Sequence, residues 1–238
     1  MKKVKTVIDL VLIFALPILM GYSLVSELYH EIIGISCGVL YAVHIVLNRK
    51  WFLSLFKGKY TVRRVVTLIV NLLLMLCVLT SMVSGIFLSK YVFRFLGISV
   101  LSSLMRTLHI LAAYWGLLLM SFHAGTHGSM IMSKLKKKLA KYAVGATFLL
   151  ASAYGVYAFI KRGFFDFLFG KVMFVFFDFS EPFVFYYLDY LAIMILFMTL
   201  GHLFIKNDET RFPLRIPRLY FTGFQTKLIF STAQKYGT

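Results

Sequence analysis

Four histidines carry the chemistry that this sequence suggests. His30 and His44 close the two ends of HEIIGISCGVLYAVH, and His109 and His123 stand in RTLHILAAYWGLLLMSFHAGTHG. Both pairs are fourteen residues apart, in stretches otherwise fit for lipid. Fourteen residues of helix make almost four turns, so the two rings of a pair point the same way, about 21 Å apart along the axis. Packing at 3.5 residues per turn aligns them fully. Imidazole is the commonest metal ligand among side chains. An ionisable ring inside an apolar span is costly enough to point to a function.

The elements that must position these rings follow from composition. Of 238 residues, 60% are hydrophobic and 17% aromatic, and the mean hydropathy is +0.84. A soluble domain has to cover its surface with polar groups, so this is the composition of an integral membrane protein. Apolar runs over about 6–25, 28–48, 65–88, 101–126, 140–161 and 183–205 are each near the ~20 residues a helix needs to cross a bilayer. Each must be helical, because an open strand leaves backbone groups unpaired in lipid. The expected fold is all-α: a bundle of six transmembrane helices over residues 1–206, with a four-helix core around the histidines, then a basic tail over 207–238. MKKVK precedes a first run with no small-residue cleavage site, which reads as an uncleaved span.

The net charge is +17, and its distribution sets orientation. Twenty of the 26 lysines and arginines fall at the N-terminus, in the loops after the second and fourth spans, and in the tail. The remaining six are Lys90, Arg94, Arg106, Lys161, Arg162 and Lys171. The positive-inside rule places both termini on the cytoplasmic side of the cell membrane. The basic loops suit anionic lipid, and no soluble basic domain exists for nucleic acid. Residues 162–183, rich in aromatics and broken by charge, are expected to lie along the outer interface.

With this orientation the second and fourth spans run in parallel. His30 then faces His109 near the outside, and His44 faces His123 near the inside. Two imidazoles at one depth suit a haem iron, which takes one axial ligand on each face. Zinc suits the pattern less well, because it prefers four tetrahedral ligands. No CxxCH occurs, so the two haems would be non-covalent and b-type. Cys37 and Cys77 lie in apolar runs and read as small hydrophobes.

His127 lies five whole turns beyond His109 on the same face. It could replace His123 as the inner ligand, bond a haem propionate or serve a quinone. His202 sits at a similar depth, either as a packing histidine or as a proton or quinone contact. Arg106, one turn before His109, could pair with an outer propionate. Asn48, Arg49 and Lys50 could do the same inside. Asp9 and Asp189 are intramembrane carboxylates near the inner and outer edges. Glu31 points away from the histidine face and takes no ligand role. Span three offers Gly85 and span one Gly21 for close haem contact. No GxGxxG, P-loop or nucleophile elbow is present. Electrons would therefore come from quinol or from another subunit.

The doubled histidine spacing resembles the cytochrome b core of respiratory bc complexes and ferric-reductase-type membrane domains. The whole chain is similar to the flavinylation-associated cytochrome family, through YHEIIGISCGVLYAVHIVLNRKWF, RTLHILAAYWGLLLMSFHAGTHG and PFVFYYLDYLAIMILFMTLGHL. That resemblance implies electron transfer across the cytoplasmic membrane to an external flavoprotein. A quinone-reactive anchor subunit of a larger dehydrogenase is the alternative. A haem-free transporter or scaffold is the third possibility; the second and fourth spans lack the Gly/Pro breaks common at ion sites.

Overall fold

The computed structural model describes residues 2–55, 60–97, 102–128 and 136–211. Among them all regular structure is helical: α1 (Lys2–Met20), α2 (Glu27–Leu47), α3 (Lys50–Ser54), α4 (Val62–Leu88), α5 (Ser102–Thr126), α6 (Lys138–Lys161), α7 (Phe164–Leu168) and α8 (Phe183–Arg211), with one 3-10 turn at Arg94–Leu96. The helix of the last span runs on past 205 to Arg211. The rest of the expected tail, 212–238, and the loop cations Lys57, Lys59 and Lys134 lie outside the described residues.

Among the described residues, five helices are long and apolar enough to cross a membrane: α2, α4, α5, α6 and α8 within Phe183–Lys206. α1 carries Lys3, Lys5 and Asp9 in its first turns and is not among them. Local signals account for the starts of two of the five. Ser26 caps α2 by accepting from the Tyr29 amide at 3.4 Å, and Thr61 caps α4 by accepting from the Arg64 amide at 3.3 Å. Each cap satisfies an N–H that the first helical turn leaves orphaned.

Packing divides the bundle into two parts. On one side α5, α8 and α6 press together where glycines remove the side chain. A methyl at Gly125 would strike the Met198 carbonyl, one at Gly201 the Phe122 carbonyl, and one at Gly155 the Ala192 carbonyl. Lipid tails are as apolar as leucine, so helices in a bilayer gain from such close backbone approach and not from burial of apolar area alone. The core here holds Tyr114, Leu117, Phe164, Tyr186, Tyr190 and Ile193. The Tyr114 and Tyr190 hydroxyls bond at 2.9 Å within it.

On the other side α1, α2, α4 and α5 form a ring in which each helix touches the next. α2 and α5 stand on the diagonal, separated by α1 and α4. α2 has no buried residue along its length; polar contacts at its ends hold it. At its N-terminal end, the Glu31 carboxylate accepts from Ser89 Oγ at 2.7 Å and from the amides of Lys90, Tyr91 and Val92 at 2.7–3.3 Å. At its C-terminal end, Lys5 Nζ donates to Asn48 Oδ1 at 3.0 Å.

The 162–183 segment, expected along the outer interface, is partly drawn into the core. Phe164 and Leu168 are buried, and Trp115 Nε1 donates to the Leu168 carbonyl at 3.0 Å. Val175 and Phe177 also pack against the core, while Phe165, Phe169, Phe176 and Phe179 stay exposed. An ionic knot pins both ends of the segment. Asp189 accepts from Arg162 Nε at 2.7 Å and Lys161 Nζ at 3.0 Å, and Glu181 takes Lys161 at 2.8 Å and Arg162 at 2.7 Å. The suspected carboxylate Asp189 thus closes a structural network that also includes the Tyr154 hydroxyl.

Candidate functional site: paired histidines across the ring

The diagonal of the four-helix ring carries the four histidines. At the level expected to be the outer one, the His30 and His109 ring centroids are 6.2 Å apart, with planes at 65°. Two metal–imidazole bonds of about 2 Å each, plus the half-width of each ring, bring opposed ligand rings to roughly 6 Å. The spacing therefore admits one metal between them.

What stands behind each ring decides which nitrogen is free. His109 Nδ1 lies 3.1 Å from the Ser81 carbonyl and 3.0 Å from Ser84 Oγ. The Ser84 hydroxyl is committed to the Thr80 carbonyl at 2.6 Å, so Nδ1–H donates to both oxygens and Nε2 keeps its lone pair. His123 Nδ1 lies 2.7 Å from Asn71 Oδ1. His44 Nδ1 lies 2.7 Å from Asp9 Oδ1. Three of the four rings thus have an acceptor fixing the proton on Nδ1. Metal-bound histidines show the same arrangement: the outer partner sets tautomer and orientation and raises ligand basicity. His30 is the exception, with a buried Nδ1 that has no partner. The Tyr22 ring meets His30 edge-on at 5.2 Å.

The flanking helices divide this task. α4 supports both histidines of α5, through Ser81 and Ser84 at one level and Asn71 at the other. Asp9 of α1, and Tyr22 just past its C-terminal end, flank the two histidines of α2. Between the histidines the two facing surfaces are slim. Gly34 and Cys37 follow His30 on its face, and Ala113 and Gly116 follow His109. Gly85 lies against the His109 ring, where an added Cβ would stand 3.6 Å from Cε1. Gly21 meets Tyr187 of α8 and does not border a histidine.

The remaining candidates separate clearly. His127 stacks edge-on against His123 at 5.1 Å, so both occupy the inner level. His202 approaches Gly128, where an added Cβ would stand 3.0 Å from its Nδ1, and that nitrogen is buried without a partner. Asn48 lies beside the His44 ring, 3.4 Å from Nε2, and donates to the His44 carbonyl at 2.9 Å. Arg106 lies at the outer rim with its guanidinium over the Phe174 ring at 4.8 Å. Glu31 is fully engaged by the α4–α5 loop. Among the described residues no group of three or more His, Cys, Asp or Glu is gathered closely enough to hold an ion.

The donor set therefore fits a group that takes two opposed imidazoles inside an apolar frame. A haem meets that description, and the slim surfaces between the rings suit its flat body. The sequence readily suggests the histidines themselves. Asn71, Ser81 and Ser84 escaped it, because a lone polar residue in an apolar span has no periodic signal; only its cost in lipid marks it. Compared with protein-family models, with curated proteins and with solved structures, the chain matches none.

Proposed function

We propose that the chain is a membrane electron carrier with two b-type haems, one between His30 and His109 and the other between His44 and His123. In this reading α1 is a sixth span, both termini are cytoplasmic, and the histidine levels lie near opposite faces of the bilayer. Electrons pass from a cytoplasmic or quinol donor to an extracytoplasmic acceptor, a flavoprotein by the family resemblance. The observation that carries the reading is the 6.2 Å approach of the His30 and His109 rings, with His109 Nδ1 held from behind by the Ser81 carbonyl.

A haem held by two imidazoles has no open coordination position and exchanges single electrons without binding a substrate. The chain supplies everything else. Ser81, Asn71 and Asp9 fix the rings, the apolar helices exclude water, and the helix frame sets the separation of the two levels. Arg106 is placed to meet acidic groups at the outer rim.

Vesicles test the transfer. With a membrane-impermeant reductant on the cytoplasmic side, haem-loaded protein is expected to reduce a flavin acceptor outside, and His109→Ala is expected to abolish this. No transfer with both haems bound would overturn the reading. The unpartnered Nδ1 of His202 beside Gly128 favours one variant of it, a quinone docking at the inner face. Quinone-dependent oxidation or reduction of the bound haem in the isolated chain would establish that variant.

A further inference from the structure

The two histidine levels are not equivalent, and the difference lies in charge. Behind the outer pair stand neutral groups: the Ser81 carbonyl at 3.1 Å and Ser84 Oγ at 3.0 Å on His109, and no polar partner on His30 Nδ1. Behind the inner pair stand the Asn71 amide oxygen at 2.7 Å on His123 and the Asp9 carboxylate at 2.7 Å on His44. Asp9 is thus the charged acceptor that bonds one of the four rings. Lys5, on the same helix, bonds Asn48 and not the imidazole.

We propose that Asp9 is a positioning residue that makes the inner iron the lower-potential one of the two. The inference rests on the haem reading above and deepens it by supplying a direction. A carboxylate on Nδ1–H pushes electron density toward Nε2 and makes the imidazole a stronger donor. A stronger donor and a nearby negative charge both favour the more positive, oxidised iron. Ligand basicity, second-shell hydrogen bonding and burial are the means by which a protein sets a haem potential. The outer-level groups that could compete are neutral or spent. Glu31 is used on backbone amides, and Glu27 is paired with Lys90 and with the Tyr22 hydroxyl. With the inner site lower in potential, a single electron runs downhill from the cytoplasmic level to the outer one.

Potentiometric titration of the reduced haem band in full-length protein tests this. Wild type is expected to show two transitions. Asp9→Asn is expected to raise the lower midpoint by about a tenfold change in the oxidised-to-reduced ratio, about 59 mV for one electron, and to leave the upper midpoint in place. Asp9→Glu, which keeps the carboxylate, is expected to restore the lower value. His30→Ala removes the outer pair, so Asp9→Asn in that background reads the inner site alone. Asn71→Asp places a carboxylate behind the second inner ring and is expected to lower the same midpoint further. A lower midpoint unmoved by either charge change, or an upper midpoint that moves instead, overturns the inference while the haem reading stands. Wild-type protein that binds no haem overturns both.

Discussion

His30 and His109 face each other at 6.2 Å across a pair of helices that do not pack directly on one another. Their separation is set from the ends. Glu31 ties the outer end of α2 to the loop after α4, and Lys5 with Asp9 ties its inner end to α1. On the face that follows His30, the middle of α2 carries Gly34 and Cys37. A frame fixed at its ends and slim between is what a flat group between helices requires.

The inner ligand can be chosen by mutation. His123 and His127 stand side by side, but only His123 has its Nδ1 held, by Asn71. His127→Ala is expected to keep two haems per chain. His123→Ala is expected to keep one, as read from a haem-to-protein ratio.

Asn71→Leu removes the acceptor from His123 and leaves its Nδ1–H unpaired in an apolar span. Loss of such an outer partner costs about 10–100-fold in affinity at metal sites. The inner haem is expected to dissociate that much more readily when haem-loaded protein is challenged with apomyoglobin as haem acceptor, while the outer haem is retained as in wild type.

Glu31→Gln keeps the shape of the side chain that clamps α2 and removes its charge. Hydrogen bonds to a charged group contribute about 1.5–3 kcal/mol, and about 2–4 °C is lost per kcal/mol in a chain of this size. The unfolding midpoint in detergent is expected to fall by several degrees. An unchanged midpoint would show that α2 is held by other means.

The outer ionic knot makes stability sensitive to acid. Hydrogen bonding to Lys161, with Arg162 adding to it, holds the Glu181 carboxyl below the ordinary glutamate range. A depressed carboxylate stabilises the fold above its unfolded value, and that contribution is lost as pH falls through the folded value. Glu181→Gln is expected to be less stable than wild type at neutral pH, with the gap closing below about pH 4. A gap that stays constant with pH would contradict the ionic account.

The bundle and the approach of His30 to His109 were legible for separate reasons. Apolar runs mark helices in lipid directly, so the expected 28–48 is found as Glu27–Leu47 and 65–88 as Val62–Leu88. The fourteen-residue repeat survives in sequence because helical phase is local. The supports of the rings were harder to read. Asp9, Asn71 and Ser81 lie tens of residues from the histidines they bond, and only the ring of α1, α2, α4 and α5 brings them together. Glu31 was read as facing away from the histidines; its task became visible only once the amides of residues 90–92 were placed around it. The aromatic 162–183 segment was expected on the surface. Phe164 and Leu168 are drawn inside because the small residues of α6 and the Trp115 indole give them room and a hydrogen bond.

The most direct measurement is a reduced-minus-oxidised spectrum with a haem count on purified full-length protein, alongside His30→Ala. Two b-type haems per chain in wild type and one in the variant are the result expected of paired histidines. A preparation that folds as a helical membrane protein but takes up no haem would contradict the account.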